Sequence, residues 1–160
     1  MIKLLPVIFL AVLLVTVAGF TITSSAGDEA PYPEGYRKWT HIKTGLIGPQ
    51  SAAFKTTGGY HHIYGNDKAM EGYTSGNYPD GSIIVFDVLE TIEKDGNTLE
   101  GKRRHIDVMY KDAVKYAATG GWWFEEFKDK TQRLLNTDRR KICSDCHASQ
   151  KNGVFSIFRD

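Results

Sequence analysis

The sequence predicts an α+β fold: a single β-rich domain with an antiparallel sheet, short flanking helices and a helix close to the C-terminus. Three observations carry that expectation. Ser82 to Leu89 reads Ser-Ile-Ile-Val-Phe-Asp-Val-Leu, a run of β-branched and aromatic residues of strand length. Asp95-Gly96 is a dipeptide that fills two-residue type I′ turns, so Leu99 to Tyr110 should return beside that strand. Thr137 or Asp138 offers an N-cap for a helix that carries Cys143 and His147.

The other elements follow in chain order. Residues 1–26 read as a secretory signal peptide: Lys3, an apolar run from Leu4 to Ala18, and a polar stretch ending at Ala26, where the cut is placed. A cut after Ala18, or an uncleaved membrane anchor over Leu4 to Ile22, are the alternatives. Residues 27–160 then form one domain. Pro33 to Lys43 reads as a short helix after a Pro-rich approach, and Gly58 to Gly65 holds a strand, Tyr60 to Tyr64. Asp67 caps a helical turn reaching Tyr73, and Tyr78-Pro79-Asp80-Gly81 is a turn. Lys111 to Ala118 reads as a short helix closed by Gly120-Gly121. Trp122 to Phe127 is an aromatic strand, and Val154 to Phe158 a short terminal one.

Removing residues 1–26 from the 160 leaves 134, enough for one core and too few for two. Lys3 is the only charge lost with them, so 19 basic and 19 acidic residues remain. That balance excludes the strongly basic surface of a nucleic-acid binder, and no nucleic-acid partner is expected.

The chemistry concentrates in Cys143-Ser144-Asp145-Cys146-His147, which holds both cysteines of the chain. C-x-x-C-H is the attachment signature of c-type haem. Two thiols about one helical turn apart can each add to a haem vinyl group, and the adjacent imidazole can serve as the axial iron ligand. A thioredoxin-like disulfide leaves the histidine unexplained. A structural zinc site lacks a second pair of cysteines. The motif therefore predicts one covalently bound haem c, with Cys143 and Cys146 as thioether donors, His147 on the iron, and the C-terminal helix as the haem-attachment helix. Haem c is assembled outside the cytosol, so motif and signal peptide agree on the periplasm.

The hairpin carries a register. With Asp95-Gly96 as a two-residue turn, Lys94 pairs with Asn97, Phe86 lies opposite His105, and Ile84 lies opposite Asp107. One face then carries Ile84, Phe86, Val88, His105, Asp107 and Met109. The other carries Ile83, Val85, Leu89, Ile106, Val108 and Tyr110, a plain core face. The first face suits either a haem pocket or a half-solvated sheet surface.

A late C-x-x-C-H on a β-rich domain, rather than on a four-helix bundle, resembles the cytochrome P460 family, which includes the cytochromes c′-β. Segments across the mature chain carry the resemblance: Tyr36 to Trp39, His61 to Tyr64, Tyr78 to Asp87, Val108 to Asp112, Ala117 to Trp122 and Cys143 to His147. Members similar to true P460 oxidise hydroxylamine and carry a lysine bonded to the haem, six residues beyond the Asp of the Asp-Gly turn. Counted from Asp80, that position is Phe86, so the cross-linking residue is missing. The c′-β type, which places phenylalanine over the iron, is the nearer likeness. The glutamate that serves as distal acid in the P460 enzymes maps onto Asp107, one methylene shorter. The resemblance thus implies Phe86 as a distal cap and Asp107 as a distal acid/base.

Two functions follow as expectations. One is a cytochrome that binds small gaseous or nitrogenous ligands such as NO or CO at an open distal haem site. The other is a haem oxidoreductase acting on hydroxylamine or NO, with Asp107 moving protons. Simple electron transfer to a redox partner protein is the plainer third. A homodimer is expected. His61 and His62 should point to opposite faces of their strand. Met70 and Met109 read as core fillers ahead of iron ligands, Trp122 to Phe124 as core or dimer contacts, and Arg103 and Arg104 as exposed charges.

Overall fold

The computed structural model describes residues 30–159. The signal-peptide expectation and its cut after Ala26 lie outside the described residues. Among those described, no helix is long and apolar enough to cross a membrane.

Five strands form one antiparallel sheet in chain order: β1 (Thr40–Ile47), β2 (Gly59–Gly65), β3 (Ile83–Lys94), β4 (Asn97–Lys111) and β5 (Trp122–Phe127). Three short helices flank it: α1 (Phe54–Thr57), α2 (Asp67–Ser75) and α3 (Thr137–His147). The α+β domain expected from the sequence is the one observed.

β3, the central strand, takes its length from the hairpin. Asp95 and Gly96 both adopt positive φ, 52° and 76°, as a type I′ turn demands. Lys94 pairs with Asn97 as expected, but the ladder then slips across bulges around Glu90. Phe86 lies opposite Asp107, Val88 opposite His105, and Ile84 opposite Met109. The expected register is therefore wrong by two residues beyond the bulge. A shift of two preserves side-chain parity, so the predicted faces stand. Gly101 marks the irregularity, since a Cβ there would come within 2.9 Å of Glu90 Cβ.

The two sheet faces bury separate clusters. Ile63, Ile84, Met109, Trp122 and Phe124 face α2 and α3, where Ala69 of α2 is fully buried among them. Val85, Ile106, Val108, Tyr110 and Phe127 face the chain before β1, where Tyr36 closes the cluster. Each large side chain so buried contributes about 1.5–3 kcal/mol. The second face is not plainly apolar. Asp87 is fully buried there, accepts from Tyr36 Oη at 2.6 Å and Arg37 Nε at 2.8 Å, and has Arg103 Nε 3.2 Å from its other oxygen. Arg103 is thus an ion-pair partner, and Arg104 donates to the Gly58 carbonyl.

Several local expectations are corrected. The helix over Pro33 to Lys43 reduces to one 3₁₀ turn, Tyr36–Lys38, followed by the unforeseen β1. β1 is a largely exposed edge strand whose polar sequence lacks alternation. The α2 cap is Asn66, whose Oδ1 accepts from Ala69 N at 2.9 Å. In place of the helix over Lys111 to Ala118, Lys111 ends β4 and the chain beyond it forms turns and a 3₁₀ turn, Ala117–Thr119. Val154 to Phe158 is no strand, because the outer edge of β5 is already taken by Lys128 to Leu134 and α3. The tail is tied instead to α2 through Tyr73 Oη and Ser156 Oγ, 2.6 Å apart.

Candidate functional site

The helix bearing the cysteines, α3, is polar and lies largely exposed, so charge rather than apolar burial fixes its start. Asn136 caps it, accepting from Arg139 N at 2.9 Å. Successive residues of β5 then hold it from both faces of the sheet. Glu126 accepts from Arg139 at 2.9 Å, while Glu125 accepts from Arg140 at 3.1 Å and Arg133 at 2.9 Å. Glu125 has no exposed side-chain surface, and the Arg140 guanidinium lies 4.1 Å over the Trp123 ring. Arg140 Nε also donates to the Phe124 carbonyl at 2.9 Å. Sequence reading missed this clamp, since its acids and bases lie on different elements and meet only through the path of the chain beyond β5.

Cys143 and Cys146 stand about one helical turn apart as free thiols. Cys143 is half-buried against the cluster that also borders Phe86, and Cys146 is exposed. Burial pushes the Cys143 thiol up to about 11, helped by the charges of Asp107 and Glu126. A redox-active C-x-x-C wants a depressed pKa, so this environment argues against the thioredoxin-like alternative.

His147 is built to offer one nitrogen. Its Nδ1 lies 2.7 Å from the Gly153 carbonyl oxygen, which can only accept, so Nδ1 carries the proton and Nε2 keeps its lone pair. The ring sits between Phe124 and Phe155, with centroids at 4.9 and 5.0 Å. Burial lowers its pKa and favours the neutral form that a metal needs. The loop supplying the Gly153 carbonyl is tied to the sheet by Trp122 Nε1, which donates to Asn152 O at 2.8 Å. A cavity of about 320 Å³ opens beside His147, lined by Thr119, Trp122, Phe124, Asp145 and Gly153 among others. A larger groove of about 500 Å³ near Phe54 and Arg104 contains none of the sequence-predicted site residues.

On the sheet face beneath α3, Phe86 and Asp107 are direct cross-strand partners, and Glu126 of β5 is the next partner of Asp107. His61 stacks on Phe86 with centroids 4.4 Å apart and planes at 17°. His62 points to the other face, with Nδ1 2.8 Å from Thr44 Oγ1 and Nε2 2.8 Å from Glu100. Gly45 makes room for the His61 ring, since a Cβ there would lie 2.6 Å from it. Burial raises the pKa of Glu126, and the neighbouring Asp107 charge raises it further. Met109 is buried in the core, and Met70 is packed against it. Glu126 and the His61 stack were not foreseen; the alternation Trp122, Phe124, Glu126 is the signal that could have found the first.

The chemistry of the donors fits a haem: two free thiols one turn apart, a neighbouring imidazole with Nε2 left unbonded, and a cluster under the helix against which both Cys143 and Phe86 pack. A model of the Cytochrome P460 family matches residues 33–156. No curated protein matches the chain.

Proposed function

The chain belongs to the cytochrome P460 family and is a haem-binding cytochrome; from that premise we propose that it is a periplasmic mono-haem c-type cytochrome of the c′-β kind, which binds small ligands such as NO or CO. Cys143 and Cys146 hold the haem by thioethers. His147 Nε2 binds the iron, oriented by the Nδ1 hydrogen bond to Gly153. When bound, the haem supplies an iron able to take a diatomic ligand. Phe86 caps the distal side, offering a ring and no hydrogen-bond donor, which favours neutral diatomics over activated oxygen species.

The observation that carries this reading is Phe86 itself. It stands at the position where the hydroxylamine-oxidising members carry their cross-linking lysine, and its ring is held on the sheet face by the His61 stack. A second reading, hydroxylamine or NO oxidation, rests on Asp107, which adjoins Phe86 and could take a proton.

An optical spectrum of the reduced protein together with EPR of the oxidised protein tests the proposal. An ordinary high-spin c-type spectrum and a high-spin ferric signal are expected. A red-shifted Soret band, or low-spin His/Met or His/His signals, would overturn it. Hydroxylamine turnover that is lost in Asp107→Asn would make the second reading the better one.

A further inference from the structure

The hairpin end of the sheet carries an apolar surface that the haem reading leaves unused. We propose that the β3–β4 hairpin, over residues 90–104, is a dimerisation arm whose partner is a second copy of this chain, each tip seated in the groove at the base of the other arm. β2 covers β3 only as far as Leu89, and β5 covers β4 only from Ile106. Beyond those points the hairpin runs on as a two-stranded ribbon, with no strand among the described residues paired to either edge. Such a ribbon is marginal in water by itself, and an open edge invites another chain.

One face of the ribbon is braced and the other is open. Tyr60 Oη of β2 donates to the Thr98 carbonyl at 2.9 Å, and Glu100 lies 2.8 Å from His62 Nε2. Leu99, next to Glu100, points the other way, and Ile92 is its direct cross-strand partner. Ile92 is 48% exposed and Leu99 46%. Leu46 and Phe54, also exposed, lie where the ribbon leaves the sheet. Leu46 pairs with Tyr60 and Tyr60 with Leu89, while Phe54 lines the groove of about 500 Å³ with Thr91 and Arg104.

Charge and symmetry choose the occupant. The tip carries Glu93, Lys94 and Asp95, two acids to one base. The groove at its base carries Lys55, Arg104 and Glu90, two bases to one acid. Two ribbons laid side by side in opposite directions bring each tip to a groove of opposite charge, and a two-fold axis makes every such contact twice. Ile92 and Leu99 are then covered by the apolar wall that Phe54 gives the groove. Ribbon and α1 together supply roughly the 20 residues per partner that a stable interface uses. The far end of β4, where Lys111 pairs with Trp122 beside His147, stays clear of this contact, so the proposal and haem attachment can fail independently.

The test is sedimentation velocity of the holoprotein over a range of concentrations. It is run on the wild type, Leu99→Asp, Lys55→Glu, the double variant Lys55→Glu, Glu93→Lys, and Val114→Asp. All four positions are exposed, and circular dichroism checks that each variant folds. A dimeric wild type is expected, with dimer affinity falling at least tenfold in Leu99→Asp and in Lys55→Glu. The double variant should be tighter than Lys55→Glu, and Val114→Asp, beyond the far end of β4, should match the wild type. A monomeric wild type would overturn the proposal, as would undiminished affinity in either Leu99→Asp or Lys55→Glu. A double variant no tighter than Lys55→Glu would overturn the pairing of tip with groove, and equal weakening in Val114→Asp would move the interface to the other end. The optical spectrum of the holoprotein, recorded in parallel, reports haem attachment separately.

Discussion

Phe86 and Asp107 face each other directly across β3 and β4, on the sheet face that α3 covers. In the proposed haem site, an apolar ring and a carboxylate in direct register would divide the labour: one excludes water and donors, the other can hold a proton. His61 behind Phe86 and Glu126 beside Asp107 extend each half.

Removing the ring should therefore separate the two. Phe86→Ala is expected to speed CO association several-fold and to admit water, while Asp107→Asn leaves association within about twofold. Flash photolysis of the CO complex measures both. Unchanged association in Phe86→Ala would take Phe86 out of the distal pocket.

The placement of Cys143, Cys146 and His147 on one helix was legible because the motif is local: five consecutive residues present two thiols and an imidazole together. The sheet face was legible for a related reason, since alternation survives a slip of two residues. The pairing itself was not. The slip depends on how Glu90 and Gly101 pack, a contact between strands that strand propensity does not encode. β1 was hidden because an exposed edge strand needs no apolar alternation. Glu126 and the Glu125–Arg140 clamp were hidden because their partners are brought together by register and by the path of the chain beyond β5.

Attachment itself is checked by chemistry. The double variant Cys143→Ala, Cys146→Ala should yield protein whose haem extracts into acidic organic solvent, whereas wild-type haem stays with the chain. Haem that resists extraction from the double variant would exclude thioether bonding at these residues.

The His61–Phe86 stack predicts a pH dependence. Burial, with the nearby His62 and Lys43, lowers the pKa of His61 below its ordinary 6.5, so the unfolded chain binds the proton more readily. Its contribution to stability is present above pH 6.5 and is lost as pH falls through the lowered folded value. Melting temperature should thus decline more steeply below pH 6.5 in the wild type than in His61→Phe, which keeps an aromatic ring in the stack. Parallel curves for the two proteins would remove His61 as the source.

The clamp on α3 predicts that neighbouring arginines differ in weight. Arg140 pairs with a carboxylate that has no solvent exposure, donates to a backbone carbonyl and covers the Trp123 ring. Arg139 is 48% exposed, and its pair with Glu126 is correspondingly screened. Arg140→Ala should cost about 2–4 kcal/mol, because Glu125 loses one of its two cations in a dry site. Arg139→Ala should cost about 0–1 kcal/mol. Urea denaturation measures the difference, and hydrogen exchange locates it. Amides of α3 should lose protection in Arg140→Ala while β3 and β4 keep theirs, because the central ladder does not depend on the clamp. If α3 were held chiefly by Cys143 packing on the sheet, both variants would exchange like the wild type, and the clamp would not be what positions Cys143 and His147.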